Sequence, residues 1–92
     1  MISLKSEFRL LKRRFKETLV LIPGWAFDYR IFSTLGLSYN YLLPTKFYPF
    51  NFDQDLLDIL NKKNIEKVSL LGWSLGGFLA CDFALKNPER ID

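Results

Sequence analysis

The sequence predicts an α/β fold on three observations. Short β-favouring runs alternate with longer helical patterns along the 92-residue chain. Successive runs are separated by enough residues for parallel crossovers rather than hairpins. The last run leads straight into Gly72-Trp73-Ser74-Leu75-Gly76, a bend between a strand and a helix. The expected architecture is three parallel strands with three crossover or flanking helices of the usual right-handed hand. These occupy residues 18–92 as an incomplete domain, preceded by a basic lead-in segment, residues 1–17.

The lead-in holds six basic side chains, Lys5, Arg9, Lys12, Arg13, Arg14 and Lys16, against Glu7 and Glu17. Leu4, Phe8, Leu11 and Phe15 recur at helical spacing, which predicts a helix whose apolar face packs on the domain while its cations stay solvated. A membrane surface or an acidic partner is the alternative use of such a helix. Thr18 to Ile22 then reads as a buried strand stopped by Pro23-Gly24. Asp28 can cap a short helix through Ile31, Phe32 and Leu35, with Gly36 placed to end it. Tyr39 to Leu43 is the second strand, ended by Pro44. Phe47, Tyr48, Phe50 and Phe52 form an aromatic cluster in the following crossover, best read as core packing.

Asp53 to Lys63 has the strongest helical signature, with Asp53 and Asp55 in its first turn and Lys62 and Lys63 in its last, each matched to the helix dipole. Leu56, Leu57, Ile59 and Leu60 supply its apolar stripe, and Asn64 suits a left-handed position after it. Lys67 to Leu71 is the third strand. Leu75 to Lys86 is the third helix, with Gly76, Ala80 and Ala84 giving a smooth face and Asn87-Pro88 ending it. Glu89 to Asp92 resembles the lead-in to another strand.

Composition removes several classes. With 49% hydrophobic and 16% aromatic residues the chain can build a core, so whole-chain disorder is excluded. The lone Cys81 cannot form an internal disulfide and reads as a small core residue on the third helix. No apolar stretch approaches the roughly 20 residues of a membrane span, and no secretory leader pattern opens the chain, so a cytoplasmic protein is expected. Net charge is +3, but residues after the lead-in are close to neutral, and no nucleic-acid footprint is expected. No metal or cofactor is expected.

The chemistry lies at the bend. A Gly-x-Ser-x-Gly arises by chance about 3% of the time in a chain of this length. A strand before it, a helix after it and a further glycine at Gly77 for close helix packing make coincidence far rarer. A strand turning abruptly into a helix strains the residue at the corner and projects it from the sheet, which is the geometry of a nucleophile elbow. Ser74 is then the candidate nucleophile, flanked by Gly72, Trp73, Gly76 and Gly77. Acyl transfer also needs two N–H donors at the developing oxyanion. One is Leu75, at the amino end of a helix. The other should come from the loop after the first strand, where Pro23 has no N–H and Trp25 is the better donor. The chain contains no histidine, so the usual base is absent from these residues.

Leu19-Val20-Leu21-Ile22-Pro23-Gly24-Trp25, followed by Leu71-Gly72-Trp73-Ser74-Leu75-Gly76-Gly77, resembles the α/β-hydrolase superfamily. The second string is most similar to carboxylesterases that cleave pimeloyl-acyl carrier protein methyl ester in biotin synthesis. The resemblance covers residues 18–92, the amino-terminal part of that fold, with Pro23-Gly24 where the family usually has His-Gly. It implies Ser74 as nucleophile, the Trp25 and Leu75 N–H groups as oxyanion hole, and a small acyl ester, or an acyl carrier protein bearing one, as substrate. It also implies that acid, base and substrate-covering cap lie beyond Asp92, with neither Asp82 nor Asp92 in the acid's place. The chain alone is therefore expected to be nearly inactive: a shortened product, half of a split hydrolase with a complementing chain, or a non-catalytic acyl-binding or interaction domain. An uncovered edge on the third strand predicts self-association.

Overall fold

A computed structural model describes residues 5–23 and 36–92. Strands β1 (Glu7–Leu11), β2 (Thr18–Ile22), β3 (Asn40–Lys46) and β4 (Ser69–Gly72) form one mixed sheet in the order β1-β3-β2-β4. Strand β2 runs parallel to both β3 and β4, while β1 is antiparallel to β3. The parallel β2, β3 and β4 are the three strands expected. Helices α1 (Phe52–Lys62) and α2 (Leu75–Lys86) follow β3 and β4, and a 3-10 turn spans Pro88–Arg90. The helix expected near Asp28 to Leu35, and Trp25, lie outside the described residues.

Residues 7–11 correct the helical reading of the lead-in. Spacing alone fits a helix, but β3 offers an open row of backbone groups that a strand can satisfy. Phe8 and Leu10 then pack on one face of the sheet while Leu11 packs on the other, an alternation of period 2. The connection to β2 is pinned by the buried Asn40. Its Oδ1 accepts from the N–H groups of Arg13 (2.6 Å) and Phe15 (3.2 Å), and its Nδ2 donates to the Phe15 carbonyl (2.6 Å).

Strand β3 also continues through Pro44, where a stop was expected. Pro44 lies past the pairing with β2, which covers Asn40 to Leu42, so its missing N–H leaves no gap on that side. On the other side Phe8 opposes Pro44 and Glu7 opposes Lys46, a register shift that absorbs Thr45 as a bulge.

Strand β2 is buried at all five residues because both faces are covered. Val20 and Ile22 join Leu42, Phe52, Leu56, Leu60, Val68 and Phe83 in the core beneath the helices, while Leu19 and Leu21 join Tyr41 and Leu43 on the opposite face. Phe52 is the hub of the aromatic cluster, with Phe8 and Phe47 each 5.7 Å away between ring centroids. Phe50, by contrast, is exposed.

Helix α1 starts one residue earlier than its charge pattern suggests, with Asn51 at φ 60°. The Asp55 carboxylate accepts the Ser6 N–H at 2.8 Å, tying the helix to β1's lead-in. Asn64 takes the expected left-handed conformation (φ 57°), and the Ile65 N–H reaches back to the Leu60 carbonyl at 2.8 Å, closing the helix end. Lys86 on α2 reaches Asp82 and, across to α1, Asp53; these carboxylates, Asp82 first, hold its ammonium above the ordinary lysine range. In the open such pairs contribute little stability.

Candidate active site

Strand β4 ends at Gly72 and α2 begins at Leu75, leaving two residues for the reversal. Ser74 makes it at φ 57° and ψ −129°, outside even the left-handed helical basin, a conformation that costs a non-glycine residue about 1–3 kcal/mol. The surroundings impose it. The Trp73 N–H donates to the Ile22 carbonyl at 3.3 Å, and the Gly76 and Gly77 N–H groups donate to the Trp73 and Ser74 carbonyls, both at 3.0 Å. Ser74 is solvent-exposed at the carboxyl end of the parallel strands.

The glycines explain why the reversal fits. A Cβ on Gly76 would lie 2.6 Å from both the Ile22 carbonyl carbon and the Pro23 oxygen, and closer still to the Ile22 oxygen. A Cβ on Gly72 would meet the Gly76 carbonyl carbon at 2.6 Å and the Gly77 nitrogen at 2.9 Å. Helix α2 therefore sits directly on the end of β2. Gly77 does not serve the close packing expected of it: a Cβ there would be 3.7 Å from the Gly72 oxygen, an ordinary contact. The residue that needs to be bare is Gly76, one position earlier.

Leu75 contributes the first amide of α2, which lies outside the helix's own ladder while the next two amides are taken up by the turn. It stands at the positive end of a 12-residue helix, next to Ser74. Pro23 is buried beside Gly76, in the wall of this bend. Three other side chains lie apart from the site. Asp82 pairs with Lys86 at 3.2 Å, and Asp92 is joined to Val68, at the opposite end of β4 from Ser74. Cys81 is exposed, correcting its reading as a core residue, because it falls on a side of α2 that no described element covers. The Ile22 carbonyl is a part sequence reasoning missed, since no side-chain pattern marks a backbone oxygen. No helix among the described residues is long and apolar enough to cross a membrane.

Comparison with known proteins agrees with this geometry. Residues 17–92 match the family model described as alpha/beta hydrolase fold. A pimeloyl-[acyl-carrier protein] methyl ester esterase of Aliivibrio fischeri is 33% identical over 85 residues, covering 79% of this chain and 33% of that protein. A Bacillus subtilis protein named as a 2-succinyl-6-hydroxy-2,4-cyclohexadiene-1-carboxylate synthase is 46% identical over 37 residues, 40% of this chain and 14% of its own length. Among solved structures, a marine microorganism esterase superposes with a TM-score of 0.79 at 20% identity, over 98% of this chain and 40% of that one. A carboxylesterase of Bacillus subtilis gives 0.70 at 20% identity, over 96% and 41%. This chain thus spans a third or less of these curated relatives and about two fifths of the structural neighbours. With three parallel strands in a mixed sheet, a strained serine between β4 and α2, and a family match across residues 17–92, the chain belongs to the alpha/beta hydrolase fold family.

Proposed function

We infer that the chain carries the nucleophile-bearing part of a serine carboxylesterase. Its substrate class is an acyl ester, with an acyl-carrier-protein methyl ester as candidate from the Aliivibrio relative's name. The observation that carries the reading is the backbone of Ser74, held at a positive φ at the mouth of α2. In the proposed reaction Ser74 Oγ bonds to the acyl carbon while the C–O bond to the alcohol breaks. The serine proton passes through a base to the departing alcohol, and water then releases the acid from acyl-Ser74. The Leu75 N–H, with that of Trp25, would hold the oxyanion.

The sequence has no histidine, so in this reading the base comes from a second polypeptide or from a segment outside these residues. Loss of that base costs a serine hydrolase on the order of 10⁶ in turnover, while oxyanion donors alone retain about 10³ over water.

A fluorophosphonate probe with added imidazole as surrogate base tests the proposal, read by peptide mass spectrometry. The folded chain should show imidazole-dependent labelling at Ser74 that disappears in urea and in Ser74→Ala. Labelling that is independent of folding, or that falls elsewhere, refutes the nucleophile assignment.

A further inference from the structure

The turn between β1 and β2 carries a feature that the acyl chemistry does not use. Arg13 is fixed far more firmly than a surface arginine needs to be. Its Nη1 donates to the Leu37 carbonyl at 2.8 Å and to the Tyr39 carbonyl at 3.3 Å. Its guanidinium lies 4.6 Å from the Tyr41 ring centroid and 5.5 Å from that of Phe15. The Asn40 side chain clamps the backbone at Arg13 itself and at Phe15, with Arg14 between them at φ 69°.

These bonds occupy one edge of the guanidinium. The other edge, Nε with Nη2, is the fork that receives two oxygens of a carboxylate or phosphate, and no described residue accepts from it. Beside it lies a cavity of about 430 Å³ lined by Arg9, Leu10, Leu11, Lys12, Arg13 and Tyr41. Three of the six lining residues are cations and none is acidic. Among the described residues no carboxylate pairs with any of the three.

An edge strand is commonly guarded by solvated lysines and arginines, and Arg9 and Lys12 would serve that purpose unaided. A guard charge gains nothing from being locked, because an immobilised arginine gives up side-chain entropy. A binding group does gain, since its ordering is complete before the ligand arrives. We propose that Arg9, Lys12 and the locked fork of Arg13 form a binding site for a phosphate-bearing small molecule, at the opposite end of the sheet from Ser74. A phosphate suits it better than a carboxylate, because beyond the two oxygens the fork engages it has further acceptors and charge for the other cations lining the same cavity. This inference is independent of the esterase reading.

Equilibrium dialysis of the 92-residue chain against radiolabelled inorganic pyrophosphate tests it, with circular dichroism to verify the fold of each variant. Saturable, salt-sensitive uptake of one equivalent is expected. Arg13→Lys keeps the charge but loses the fork and should weaken uptake about tenfold. The double variant R9Q/K12Q, which touches no hydrogen bond described here, should weaken it at least as much. Unsaturable uptake overturns the proposal, as does an R13K affinity equal to the parent's or an undiminished R9Q/K12Q. Binding to phosphatidylglycerol vesicles without uptake of free pyrophosphate would also refute it, by showing a surface contact instead of a built site.

Discussion

Replacing Gly76 with alanine tests the contact on which the whole bend depends. The new methyl would sit 2.6 Å from two backbone atoms, the Ile22 carbonyl carbon and the Pro23 oxygen. Ordinary contact requires about 3.5–4.0 Å and the Ile22 oxygen is nearer still, so α2 and the end of β2 must part by more than about 1 Å. No side chain can swing aside, because the opposing atoms are main chain. Overpacking of this kind costs about 1–3 kcal/mol, and a backbone-on-backbone clash belongs at the upper end. Against a total stability of about 5–15 kcal/mol, a loss near 3 is severe and should lower Tm by about 10–25 °C. Gly77→Ala is the internal control. Its methyl meets the Gly72 oxygen at 3.7 Å, and the alanine should be neutral or stabilise the chain by about 0.4–1 kcal/mol. Urea denaturation followed by far-UV circular dichroism reads both variants. A Gly76→Ala midpoint within about 0.5 kcal/mol of the parent, or equal damage from Gly77→Ala, would refute the packing argument.

Three further outcomes are expected. Ser74→Gly removes the penalty of a side chain at φ 57° and should raise stability by about 1 kcal/mol while abolishing probe labelling; a lower denaturation midpoint would show that the conformation is unstrained. Asn40→Ala strips a buried side chain of three hydrogen bonds and should cost about 2–3 kcal/mol, with loss of amide protection at Arg13 and Phe15 in hydrogen exchange. Phe78 and Leu85 are 80% and 83% exposed on α2, so F78E/L85K should shift sedimentation toward monomer at unchanged stability; an unaltered distribution would place self-association elsewhere.

Patterns repeated along the chain are what made the core of the fold legible. Helix α2 runs from Leu75 to Lys86 as read from its sequence, since a glycine-rich turn opens it and Asn87-Pro88 closes it. Strand β2 was visible because five consecutive β-favouring residues ahead of Pro23-Gly24 leave little choice. Glu89 to Asp92, read as strand-like, forms a single bridge on β4's side of the sheet: Ile91 pairs in parallel with Val68, and Arg90 bonds the Glu66 and Ile65 carbonyls at 2.7 Å. The first seventeen residues were less legible because Phe8 and Leu11 fit a helix as well as a strand. Only the exposed edge of β3 could select between them.

Local chemistry, then, determined the strand-turn-helix order, the serine at its corner and the lack of a histidine. Tertiary structure decided that the lead-in pairs as β1, that β3 survives Pro44 through a bulge, and that Gly76 rather than Gly77 lies against β2. The physical reason is the range of the forces involved. Propensity and capping act within a few residues, whereas an unpaired backbone edge or a carbonyl pressed against a helix exists only once distant segments have met.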